Sequence, residues 1–117
     1  MIKTYNGSKL GVTGSHKRAM LRNMSAQLLH YEKIETTLPK AKELVSFCER
    51  LITKAKKSDL NAKKALYSEI NDKDTVKKVF EVLAPRYKDR NGGYTQIIRV
   101  GQRRGDAAQV AIVKLVV

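Results

Sequence analysis

Six cationic residues crowd the last third of the chain: Arg86, Lys88, Arg90, Arg99, Arg103 and Arg104, with Asp89 and Asp106 the only acids among them. Like charges gathered around one hairpin repel one another, and the arrangement is tolerable where a polyanion neutralises it. Arginine dominates the group, and a guanidinium clamps a phosphate through two hydrogen bonds and stacks on a base, which an ammonium cannot do. Tyr87 and Tyr94 bracket the turn in "PRYKDRNGGYT", where their rings either stack on unpaired bases or pack beside a helix end. A second group, Lys9, Lys17, Arg18 and Arg22, lies in a stretch from Met1 to Tyr31 without a single acidic residue. These types at these spacings point to phosphate binding.

Signals for catalysis are missing. The chain has no Walker loop, no GxSxG and no HExxH. Cys48 falls on the apolar stripe of a helix, where an inert buried thiol is expected rather than a nucleophile. One cysteine forms no internal disulfide, and His16 and His30 do not complete a zinc site with it. The "RGD" at Arg104–Asp106 is read as a chance tripeptide in a cationic chain. Lys54, Lys56, Lys57, Lys63, Lys64, Lys77 and Lys78 sit among acids on helices and are expected on solvated faces. No cofactor, metal or small-molecule substrate is expected.

The elements that position these residues follow from periodicity. Residues 1–14 hold three Gly, two Lys and little apolar pattern, and read as a flexible basic arm. Ser15 is placed to cap a helix running to about Tyr31, with Met20, Leu21, Met24, Leu28 and Tyr31 inward and Arg18 and Arg22 projecting together from the far side. Residues 34–37 read as a short strand. Pro39 suits the first turn of the next helix, whose Ala41, Leu44, Val45, Cys48, Leu51, Ile52 and Ala55 follow helical spacing to about Lys57. A shorter helix over 61–70 turns Ala62, Ala65, Leu66 and Ile70 inward. Asp72 or Asp74 caps another helix, presenting Val76, Val79, Phe80 and Leu83, and Pro85 is expected to stop it. After the "NGG" turn, residues 94–100 and 109–117 read as strands joined by a projecting loop, with Arg99 reaching solvent at the sheet rim. The expected class is α+β: about four helices on a sheet of two or three strands, in the order α-β-α-α-α-β-β.

Composition agrees. A length of 117 residues suits one domain, here residues 15–117 after the arm. The balance of 24 Lys and Arg against 11 Asp and Glu gives a formal charge of +13, which draws phosphate polymers and acidic surfaces. No apolar run approaches the roughly 20 residues that cross a bilayer. The start, "MIKTYNGSKLGVTG", has no secretory h-region, and a soluble protein of a reducing compartment is expected.

Taken together, "SHKRAMLRNM", "KIETTLPKAKEL", "LITKAKK" and "LAPRYKDRNGGYTQIIRVGQRRGDAA" closely resemble the bacterial large-subunit ribosomal protein L17 family, from about Gly14 to Val116 and in the family's order and spacing. The resemblance implies an α+β fold and a structural, non-catalytic role in the cytoplasm, in the ribosome. The implied partners are large-subunit ribosomal RNA near the exit of the peptide tunnel and neighbouring ribosomal proteins, with no membrane partner. Carried onto this chain, it implies RNA contacts at Ser15, His16, Lys17, Arg18, Arg22 and Asn23. A second set comprises Arg86, Tyr87, Lys88, Arg90, Asn91, Tyr94, Arg99, Arg103 and Arg104. Members commonly begin with a denser basic arm, whereas this one offers Lys3 and Lys9, so fewer phosphates are expected to be neutralised there. Where the family often has a proline after the RRGDAA block, this chain has Gln109, which is expected to lengthen the last strand. Two rival readings are a generic nucleoid-type DNA- or RNA-binding protein and an RNA-modifying enzyme. The first lacks a helix-turn-helix or dimerisation heptad, and the second lacks an arranged nucleophile, carboxylate pair or cofactor loop.

Overall fold

The structure, a computed structural model, describes residues 14–116. Its elements run α1 (Gly14–Tyr31), β1 (Lys33–Thr37), α2 (Leu38–Ala55), α3 (Leu60–Glu69), α4 (Lys73–Lys78), α5 (Ala84–Arg86), β2 (Thr95–Gln102) and β3 (Gln109–Leu115). A π turn, Val79–Leu83, fuses α4 and α5 into one helical run, so the α+β class and the expected order hold. Apart from Gly14, which opens α1, the expected arm with its Lys9 lies outside the described residues.

The sheet is antiparallel, in the order β1-β3-β2. Ile34 pairs with Val113 and Ile97 with Val113, so one face presents Ile34, Ala111, Val113, Leu115, Thr95 and Ile97 toward the helices. α2 packs across that face and touches all three strands as well as α1, α3 and the π turn. Its stripe is the one its spacing predicts: Ala41, Leu44, Cys48, Leu51, Ile52 and Ala55 are buried. Removing such a side chain, Leu44 for instance, forfeits its transfer energy and leaves a cavity, about 2–5 kcal/mol for a leucine cut to alanine. Thr37 stands at the N-cap with Pro39 in the first turn, where its missing N–H has no helical partner to lose.

Three local expectations change. Gly14 already lies in α1, so Ser15 sits inside the first turn rather than capping it. The inward face of α1 is rotated from the expected stripe: Lys17, Leu21, Ser25, Leu28 and Leu29 are buried, whereas Tyr31 is exposed. Leu29, four residues after Ser25 and eight after Leu21, joins the buried face, and at Glu32, with a left-handed φ of 66°, the chain leaves the helix for β1. Pro85 does not end its helix. Just before the proline the ladder widens, with the Ala84 N–H donating to the Val79 carbonyl five residues back. That widening relieves the clash a proline ring makes in a regular α-turn, and the Tyr87 N–H rejoins the normal pattern at Leu83, 3.1 Å away.

Candidate nucleic-acid interface

The expected cluster around one hairpin is two clusters. β2 separates the turn holding Arg86 to Tyr94 from the loop holding Arg103 and Arg104. At one end Thr95 pairs with Leu115, and at the other Gln102 pairs with Gln109. A strand of that length places the two ends about 25 Å apart. Both lie at the rim of the sheet, so a ligand touching both spans the whole edge strand.

The first cluster is held by α2. Tyr87 and Tyr94 are 2% and 1% exposed, their rings packed against each other with centroids 5.1 Å apart. Both rings are therefore packed in the core, as the packing reading expects. The Tyr87 hydroxyl donates to the Val116 carbonyl, and burial pushes that phenol's pKa up. The Tyr94 hydroxyl donates to the Arg90 carbonyl at 3.2 Å and accepts from Lys56 Nζ at 3.1 Å. Lys56 also donates to the Arg90 carbonyl, so it is a half-buried anchor rather than the solvated lysine its neighbours in sequence suggest. Glu49 of α2 accepts from the Thr95 hydroxyl at 2.8 Å and fixes the start of β2. Gly92 and Gly93 have φ of 110° and 65°, which only glycine adopts without strain, and they carry the chain round. Lys88, Arg90 and Asn91 are left exposed on this frame, with Arg90 donating to the Gly93 carbonyl at 3.2 Å.

Arg86 is tied differently. Its guanidinium pairs with Glu32, which also takes Lys78 Nζ at 3.1 Å, joining the end of α1 to the fused helix. The Arg86 hydrogen bond, reinforced by Lys78, holds the Glu32 carboxyl below the ordinary carboxylate range. At the far end, Arg103 pairs with Asp106 within the six-residue loop, and Arg103 with the Ala108 N–H holds that carboxyl down at about 2. Gly101, at φ 142°, sits where the β2–β3 register shifts, and Arg99 and Arg104 are exposed. Among the described residues Lys88, Arg90, Arg99 and Arg104 take part in no ion pair.

The amino-terminal group lacks acids in sequence but meets them in space. Lys17 is buried and pairs with Glu43 of α2 at 3.3 Å, which removes it from the exposed set. Arg18 and Arg22 do project together, but onto Glu69 of α3, at 2.9 and 2.8 Å. Burial pushes the Glu69 carboxyl up, and hydrogen bonds from Arg22 and Arg18 outweigh it, leaving the pKa lowered. Ser15 and His16 are exposed in the first turn of α1, and Asn23 is exposed midway along it. Sequence reading misses the carboxylates Glu32, Glu43, Glu49 and Glu69, because each partner lies in a different element and no local spacing marks it. Among the described residues no group of three or more His, Cys, Asp or Glu side chains is placed to hold a metal, and no helix is long and apolar enough to cross a membrane.

Comparison with known proteins bears on what such a surface serves. The family model described as ribosomal protein L17 matches residues 20–116. A "Large ribosomal subunit protein bL17" of Endomicrobium trichonymphae is 67% identical over 116 residues, covering 99% of each chain. Proteins of the same name from Campylobacter concisus and Rickettsia canadensis are 53% and 54% identical, covering 92% and 94% of this chain and 92% and 81% of theirs. With a model match over most of its length and relatives this similar from end to end, the chain belongs to the ribosomal protein L17 family.

Proposed function

We propose that this chain is a structural constituent of the bacterial large ribosomal subunit, acting in the cytoplasm within the ribosome, where it binds and organises large-subunit RNA. The observation that carries the reading is its 67% identity, over 99% of both chains, to a protein named for that subunit. The role is non-enzymatic, as the family's is.

The helices and sheet act as a rigid wedge whose cations neutralise phosphates where RNA segments approach one another. The exposed Lys88, Arg90, Asn91, Arg99 and Arg104 are the primary contacts, supported by the outer edges of Arg18, Arg22, Arg86 and Arg103, whose inner edges face carboxylates. Ser15, His16 and Asn23 extend the α1 contact, and Lys9 adds to it from the arm. Tyr87 and Tyr94 serve by fixing the turn. Selectivity comes from RNA shape, since the deep groove of an A-form duplex hides its base edges. The site lies near the peptide-tunnel exit by family resemblance, beside neighbouring ribosomal proteins.

If about six phosphates are engaged, log affinity for a large-subunit RNA fragment falls with log salt at a slope of roughly −4 to −5. The native protein co-sediments with the large subunit through a moderate salt wash. Salt-insensitive binding, or equal affinity for random duplex DNA in competition, overturns the proposal and favours the nucleoid-type alternative. Cross-links from this chain to a stalled nascent peptide test the location.

A further inference from the structure

The start of α1, the middle and second half of α2 and the end of α3 border an open groove of about 520 Å³, of which the contacts proposed above use Arg18 alone. Arg18 of α1 and Glu69 of α3 line it together with Glu43, Phe47, Arg50, Leu51 and Lys54 of α2 and the Lys17 that pairs with Glu43. Arg50 and Lys54 are one helical turn apart and so project together. Both are exposed, and neither is in an ion pair among the described residues. Arg50 donates from Nε to the Ser46 carbonyl at 3.2 Å, which steadies the guanidinium and leaves its terminal amino groups without a hydrogen-bond partner among the described residues.

Two carboxylates line the groove and compete with phosphate for its cations: Glu43, held by the buried Lys17 at 3.3 Å, and Glu69, the partner of Arg18. For Glu69, exposure decides the matter. The Glu69 side chain is 14% exposed beneath an Arg18 side chain that is 62% exposed. The acid therefore lies under the guanidinium, while the outward edge of Arg18 stays available. An arginine side chain loses rotamer freedom on binding, and a buried partner that already orders it lowers that loss.

We propose that this groove is a second phosphate site, taking the backbone of RNA between Arg18 and the Arg50–Lys54 pair, with Glu69 as a positioning residue for Arg18. The inference rests on the RNA-binding reading above and extends it to α2, whose lysine the sequence assigns to a solvated face.

The test is the full chain binding a transcript of large-subunit RNA across a salt series. In Arg50→Ala/Lys54→Ala two exposed helical residues become a better helix former, so the fold is retained, and thermal melting checks it. Two lost phosphate contacts lower the salt slope by about 1.5 and weaken binding on the order of 10- to 40-fold at 0.1 M salt. Lys63→Ala/Lys64→Ala removes the same charge from α3 outside the groove, and should weaken binding less than about threefold with the slope nearly unchanged. Glu69→Gln should weaken binding severalfold. Equal effects of the two charge-matched pairs overturn the groove, and tighter binding by Glu69→Gln overturns the positioning role. A wild-type chain without salt-dependent RNA binding sinks the parent reading instead.

Discussion

Whether Tyr94 stacks on RNA or anchors the turn can be decided by removing first its hydroxyl and then its ring. The ring is 1% exposed and the hydroxyl contacts the Arg90 carbonyl, Lys56 Nζ and, at 3.4 Å, the Thr53 hydroxyl. In Tyr94→Phe the Arg90 carbonyl keeps Lys56, and the exposed Thr53 hydroxyl turns to water. The net loss is then that of about one buried hydrogen bond, about 1–1.5 kcal/mol. At an unfolding entropy of about 2.1 cal/mol/K per residue, the melting temperature falls by about 4–6 °C. Tyr94→Ala also opens a cavity and should cost about 3–5 kcal/mol, a drop of more than 10 °C. Melts followed by circular dichroism measure both, and RNA titration of Tyr94→Phe should keep the wild-type salt slope because no charge changes. The packing account is refuted if Tyr94→Ala melts like the wild type while losing RNA affinity, since that is the signature of an accessible stacking ring.

Other expectations follow from the same contacts. Ser25 is fully buried and its hydroxyl has no hydrogen-bond partner among the described residues, so Ser25→Ala should stabilise by about 1 kcal/mol; a lower melting temperature contradicts this. The Glu32 carboxyl has a depressed folded-state pKa, so its stabilisation is complete above the unfolded value, about 4.3, and fades as pH falls through the folded one. The stability gap between wild type and Glu32→Gln in urea melts should therefore narrow from pH 7 to pH 3, and a constant gap rejects the clamp. Burial pushes the Cys48 thiol to about 12, so a disulfide reagent at pH 8 should label it only as the chain unfolds in urea, and prompt labelling of the native protein counts against that burial.

The parts that sequence made legible are those whose signal is local. α2 announces itself through unbroken helical spacing, the "NGG" turn through residues that tolerate positive φ, and the long hairpin loop through its length. Gln109 begins β3, in keeping with the absent proline. What sequence could not show was tertiary. An acid-free stretch suggests free cations at Lys17, Arg18 and Arg22, but Glu43 and Glu69 arrive from other helices. Tyr87 and Tyr94 fit either stacking or packing until α2 is laid over them. Pro85 breaks the usual ladder and sequence alone does not reveal a π turn that accommodates it. Two arginine groups that are neighbours in number are held apart by the strand between them.

The order of the strands sets a timetable for the newborn protein. β3 is translated after both of its neighbours yet sits between them, so β1 and β2 emerge with no sheet partner to join. Until residues 109–115 arrive, the apolar side of α2 has no finished floor to rest on, and the early helices wait as an open, strongly basic assembly. Maturation of this chain is therefore a closing step performed by its final strand, and shortening that strand should leave the preceding elements made but unlocked.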